Sequence, residues 1–125
     1  MKSMTRSLLL VALATALGTA TAEAQAVPQG ATPAMVERGK EIFTKQGLCY
    51  ACHGQEAKGL VGPNLTDDTW IHGKGSWEEI IGIVTNGIPK EQAKGGIPMP
   101  AKGGSSISDD DVKAVAAYVY SLSHK

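Results

Sequence analysis

No excess of charge of either sign marks this chain. Lys and Arg number 12 and so do Asp and Glu, for a formal net charge of zero. Without a basic stripe it lacks the electrostatic footprint of a nucleic-acid binder. It also lacks a long apolar run. The stretch from Leu8 to Leu17 is too short to cross a bilayer comfortably, since a spanning helix needs about 20 residues, and no stop-transfer segment follows. There is no internal repeat, no low-complexity tract and no alternating pattern that marks strands. Cysteine is scarce, with only Cys49 and Cys52 present. A disulfide between them would close too small a loop to stabilise much.

What is present begins with a leader. Lys2 and Arg6 form a positive region, the short apolar core follows, and Ala22-Glu23-Ala24 reads as a cleavage site, so residues 1–24 are expected to be a secretory signal peptide, with an uncleaved N-terminal anchor as the alternative. Removing Lys2, Arg6 and Glu23 leaves the mature chain one charge negative. The remaining residues suffice for one domain near the lower end of what a single core supports. Export also implies an oxidising compartment, the periplasm.

The organising stretch is Cys49-Tyr50-Ala51-Cys52-His53. As C-x-x-C-H it is the attachment pattern of a c-type haem. Two thiols three residues apart can each form a thioether with one haem vinyl group, and the following imidazole then becomes the proximal iron ligand. A redox dithiol would want a β-α-β setting, and no strand precedes Cys49. A structural zinc would need His72 or His124 to complete four ligands, at spacings unlike a zinc finger.

Around this motif the pattern is helical. Residues 25–32 have no apolar periodicity and read as a flexible tether. Thr32 caps a helix with Pro33 at its first position, and Val36, Gly39, Ile42 and Phe43 share one face. Gly39 inside that face is costly unless another backbone passes close by. From Glu56 to Asp68 the chain reads as loop, and at its end Thr66-Asp67-Asp68-Thr69 is expected to cap a short helical turn carrying Trp70 and Ile71. Ser76 and Glu79 form a capping box for a second helix with Trp77, Ile80, Ile81 and Val84 on one face, stopped at Asn86-Gly87. Residues 88–106 form a long loop rich in Gly and Pro, whose one soft metal ligand is Met99. Such a loop in a small domain usually carries function. Ser108 caps the last helix, with Asp109, Asp110 and Asp111 at its positive end and Val112, Val115, Ala116, Val119 and Leu122 on its buried face.

Taken in order, Cys49–His53, Gly62-Pro63-Asn64-Leu65, Met99 between two prolines and the terminal Ala117-Tyr118-Val119 resemble a small monohaem class I cytochrome c. The G-P-N-L-T-D-D and M-P-A stretches are similar to those in haem domains of the cytochrome subunits of bacterial haem–copper oxidases. The resemblance covers nearly all of the chain after residue 30. It implies an all-α fold over residues 33–125, with three principal helices and a short fourth around one covalent haem c. It implies that the Pro63 carbonyl accepts the Nδ1 hydrogen of His53, that Leu65 rests against the haem face, and that Gly39 meets an aromatic of the last helix, for which Tyr118 is the candidate. Lys102 departs from the family, where an aromatic often follows the M-P-A triplet.

For the sixth ligand the choice lies between Met99, His72, His124 and Met35. Pro98 and Pro100 stiffen the backbone beside Met99, which favours it. His72, nineteen residues past His53 in a Gly-flanked turn, is the serious rival. With His53 and Met99 filling both axial positions, the expected function is one-electron transfer, not enzymatic catalysis, by a periplasmic monomer that meets redox partner proteins and has no membrane span after cleavage. A labile Met99 that admits a small gas or peroxide is one alternative. A dedicated subunit of an oxidase or dehydrogenase complex is another. Lys45, Lys58, Lys90, Lys94 and Lys102 flank the haem motif and the Met99 loop as candidate docking charges.

Overall fold

The computed structural model describes residues 14, 18 and 25–125. The expected signal peptide at 1–24 lies, but for those two positions, outside the described residues. Four α-helices follow: α1 (Pro33–Thr44), α2 (Tyr50–His53), α3 (Trp77–Asn86) and α4 (Asp109–Ser123). Two 3₁₀ turns, Lys90–Gln92 and Ala101–Gly104, sit between α3 and α4. Among the described residues there is no strand, only a single antiparallel bridge between Ile88 and Met99. None of the described helices is long and apolar enough to cross a membrane.

The helix ends form where local chemistry dictates. Thr32 accepts a hydrogen bond from the Met35 amide, 3.2 Å away, and Pro33 begins α1, where its missing N–H costs nothing. Ser76 and Glu79 close a reciprocal capping box at α3, and Ser108 and Asp111 do the same at α4. Gly87 ends α3 with φ 68°.

The core is set by α1 crossing α4. Val36, Ile42 and Phe43 of α1 are fully buried, as are Val115, Ala116 and Ala117 of α4. Gly39 stands at the crossing. A methyl there would collide with the Ala114 carbonyl and lie 2.8 Å from Tyr118 Cβ, so the two backbones approach only because residue 39 has no side chain. Phe43 meets the Tyr118 ring edge to face, with centroids 5.5 Å apart. α3 joins this pair through Ile80 and Val84, and the Trp77 indole donates to the Lys113 carbonyl of α4 at 3.1 Å. The buried stripe of α4 is wider than its period suggests. Ala114, Ala117, Tyr118 and Ser121 join it because α1 and α3 cover it from two sides, while Leu122 is only half-buried.

Three segments depart from expectation. The short fourth helix is α2, at the cysteine motif, and no helical turn forms at Trp70 and Ile71. There Asn64 Oδ1 accepts from the Thr66 amide at 2.8 Å, and Asp67 Oδ1 accepts from the Thr69 amide at 3.1 Å. Such side-chain turns satisfy the backbone locally and outcompete a helical start. Residues 88–106 are less irregular than their composition implies, since the bridge and both 3₁₀ turns lie within them. In residues 25–32, Pro28 is buried and Val27 and Ala31 pack against the core, with the Ala31 amide bonded to the Pro28 carbonyl at 3.0 Å.

Candidate haem site

The site is assembled from the turn after α1. The Gly47 amide bonds back to the Ile42 carbonyl at 2.8 Å, Leu48 takes a left-handed φ of 57°, and the chain enters α2 through Cys49. Neither Cys49 nor Cys52 is in a disulfide. Cys49 is half-buried, and that burial pushes its thiol up to about 11, so it stays protonated at neutral pH. Cys52 is exposed.

His53, the last residue of α2, is 8% exposed. Its Nδ1 lies 2.9 Å from the Pro63 carbonyl oxygen. A carbonyl only accepts, so Nδ1 carries the hydrogen and Nε2 keeps its lone pair. Burial pushes the imidazole below its ordinary pKa, more than the Pro63 carbonyl raises it, which leaves the ring neutral at neutral pH. The loop that presents Pro63 is held by its own backbone. The Gly59 amide bonds the His53 carbonyl at 2.8 Å and the Gly62 amide bonds the Cys52 carbonyl at 2.9 Å. Ala57, fully buried with φ 59°, anchors the middle of that loop in the core. Phe43 stands behind the imidazole, centroids 6.5 Å apart.

Met99 arrives from the other side. Its amide donates to the Ile88 carbonyl at 2.9 Å, and its carbonyl accepts from the Ile88 amide at 2.8 Å. Gly87 permits that pairing: a side chain there would collide with the Met99 carbonyl and lie 2.7 Å from the Ala101 nitrogen. Pattern reading missed this role of Gly87 and Ile88. Asn86-Gly87 was legible as a helix stop, and nothing local announces that the residue after it pairs eleven positions downstream.

Cys49, Cys52, His53, Pro63 and Met99 all line one cavity of about 430 Å³. His72 lines it too, so the structure keeps both rivals for the sixth position beside the same space. Leu65 does not line it. Leu65 is half-buried against the core cluster, held by a 2.8 Å bond from its amide to the Ala57 carbonyl. His124 lies elsewhere, stacked on Tyr120 with ring centroids 3.8 Å apart. Met35, half-buried on α1, is not part of the lining.

These residues fit a c-type haem by the chemistry of the donor set. They supply a neutral imidazole with Nδ1 committed, a thioether on a pinned backbone, and two unpaired thiols. Leu48, Val61, Ile71 and Ile97 line the cavity and are exposed, an apolar rim that an apolar ligand would cover.

The candidate docking lysines divide. Lys45 pairs with Glu41 at 2.8 Å and Lys58 with Glu56 at 3.2 Å, both in the open, where such pairs contribute little. Lys102 turns inward to Asp109 and the Ile107 carbonyl. Lys90 and Lys94 are exposed and, among the described residues, unpaired.

Comparison with known proteins places this arrangement. Residues 34–119 match the family of cytochrome c oxidase, cbb3-type, subunit III. The chain is 39% identical over 92 residues to the cbb3-type cytochrome c oxidase subunit CcoP of Rubrivivax gelatinosus, covering 73% of this chain and 27% of that protein. It is 37% identical over 93 residues to subunit FixP of Rhizobium meliloti strain 1021, covering 72% and 28% respectively. The chain thus spans little more than a quarter of the length of these relatives. Among solved structures it resembles cytochrome cL from Methylophaga aminisulfidivorans, with a TM-score of 0.55 at 20% identity over 70% of this chain and 52% of that one. Cytochrome cL from Hyphomicrobium denitrificans gives 0.52 at 23% identity over 68% and 45%. At such identities the likeness establishes the fold, that of a class I cytochrome c.

Proposed function

The chain belongs to the family of cbb3-type cytochrome c oxidase subunit III, and from that premise we propose that it is a one-electron carrier holding a single covalent haem c. Cys49 and Cys52 would hold the group through thioethers, and His53 and Met99 would ligate its iron. When bound, haem c supplies a one-electron couple between ferric and ferrous iron. The chain's own residues do the rest. The Pro63 carbonyl fixes the tautomer and plane of His53 and makes it the stronger donor. Ile88 and Gly87 hold the Met99 backbone against the cavity, and the apolar walls exclude water and limit reorganisation on electron transfer. Leu65 supports the loop behind Pro63 from the core side. The observation that carries this reading is the convergence of His53, with Nδ1 committed to Pro63, both thiols and Met99 on one cavity.

With His53 and Met99 both committed to the iron, the protein would carry electrons and not itself be an enzyme. Residues 1–24 act as a cleaved signal, residues 25–32 lead into the domain at 33–125, and the mature monomer works in the periplasm. Its partners are redox proteins of a respiratory complex. The match to oxidase subunits favours docking on such a complex over free diffusion, and retention of the protein by an oxidase in native membranes tests that choice.

Mass spectrometry of the protein matured with a haem-attachment system should show the chain plus one haem that resists acid-acetone extraction. Extractable haem refutes the thioethers. Met99→Ala should abolish the weak red absorption of sulfur–iron charge transfer and open the iron to carbon monoxide. The same result from His72→Ala, with Met99→Ala inert, would transfer the sixth position to His72.

A further inference from the structure

Three residues beyond Met99 the backbone turns left-handed and stays so. Lys102, Gly103 and Gly104 have φ of 54°, 65° and 79°. Glycine adopts this conformation freely, whereas a lysine does so at a cost. The lysine also folds its long side chain inward, 26% exposed, and gives up rotamer freedom. Its Nζ donates to the Ile107 carbonyl at 3.0 Å and to Asp109 Oδ1 at 3.0 Å. Its own carbonyl accepts from the Ser105 hydroxyl at 2.6 Å and the Ser105 amide at 3.1 Å. Ile107 is buried in the core and Asp109 opens α4. On the other side the Gly103 backbone presses on the turn that delivers Cys49, where an added Cβ would lie 2.6 Å from the Gly47 carbonyl.

We infer that Lys102 is a positioning residue, a latch that fastens the Met99 segment to the start of α4 and so holds the methionine sulfur in place. The inference rests on the reading of Met99 as axial ligand. Ile88 ties the chain at Met99 itself, and Lys102 ties it after the sharp turn that follows Pro100, so the ligand sits between two anchors. Of the two side-chain bonds, the one to Ile107 matters more. It is half-sheltered, and among the described residues that carbonyl has no other donor. The Asp109 carboxylate is 84% exposed, so its attraction is screened by water. The strain of a lysine in a left-handed conformation is offset by these bonds, of which the one to Ile107 ties it to the segment that leads into α4.

The test uses the haem-loaded protein and two substitutions at the same position. Lys102→Met keeps the length and the left-handed cost but removes the donor, while Lys102→Arg retains a charged donor. Two readouts are followed: hydrogen exchange at the Ile88 and Met99 amides, and the rate at which the ferrous protein takes up carbon monoxide. Lys102→Met is expected to speed both by about tenfold, the factor set by losing one charge-assisted hydrogen bond. Lys102→Arg should bring both back toward wild type, with exchange in α1 unchanged throughout. Unaltered exchange and uptake in Lys102→Met overturn the latch, as does equal loosening of α1, which marks a merely structural role. Met99→Ala separates the two readings. If carbon monoxide uptake does not quicken there, the axial assignment fails. If it quickens there but not in Lys102→Met, the latch alone fails.

Discussion

Gly39→Ala puts the helix crossing to a quantitative test. On an isolated helix this change is favourable by about 1 kcal/mol, because alanine is the better helix former. Here the new methyl would meet the Ala114 carbonyl well inside contact distance and lie 2.8 Å from Tyr118 Cβ. The principal obstacle is main chain, so no rotamer change relieves it, and α1 and α4 must move apart. That separation loosens Val36, Ile42 and Phe43 from Val112, Val115 and Tyr118, all but Tyr118 no more than 1% exposed. Overpacking of this kind costs about 1–3 kcal/mol, and a rigid backbone obstacle belongs at the upper end or beyond. After the propensity gain is subtracted, a net loss of about 2 kcal/mol remains. For a domain of this size each kcal/mol moves the melting midpoint by roughly 4–8 °C, so a drop of about 10 °C is expected. Thermal unfolding of the ferric, haem-loaded protein, followed by far-UV circular dichroism, reads it directly. An unchanged or raised midpoint would show that the helices yield at no cost, and the close-packing argument would fall.

Other expectations follow from single contacts. Asp111 is held below the usual carboxylate range, first by its hydrogen bond to Arg38 at 2.7 Å and then by the Ser108 cap. Its contribution is therefore complete above about pH 4 and lost as pH falls through the lowered value, so Asp111→Asn should flatten the acid limb of a stability–pH curve measured by urea unfolding. Trp77→Phe removes the donor to the Lys113 carbonyl while keeping an aromatic between α3 and α4, and should lower stability by about 1 kcal/mol in chemical denaturation. Ser76→Ala breaks one half of the α3 capping box and should cost about 1 kcal/mol in the same assay, with a Thr replacement recovering most of it.

Local chemistry was enough for the three long helices and the candidate site motif. Thr32-Pro33, Ser76 with Glu79 and Ser108 with Asp111 place the starts of α1, α3 and α4 through bonds that reach no more than three residues, and Gly87 marks the end of α3 in the same way. The spacing of Val36, Gly39, Ile42 and Phe43 identified the face that is buried, and C-x-x-C-H pointed to residues that line the cavity, because those patterns are read within a turn or two of chain. The resemblance to class I cytochromes c extended this to the His53–Pro63 pairing, ten residues apart, which composition and periodicity do not announce. The tertiary structure decided what depends on distant backbone. It pairs Ile88 with Met99, turns Lys102 away from solvent toward Ile107, places Leu65 against the core instead of the cavity, and leaves Trp70 outside any helix. A cap or a periodic face is read from neighbours in sequence. The partner of a loop carbonyl is settled only when the helices have docked, and α1 and α4 dock at the position where Gly39 offers no side chain to keep them apart.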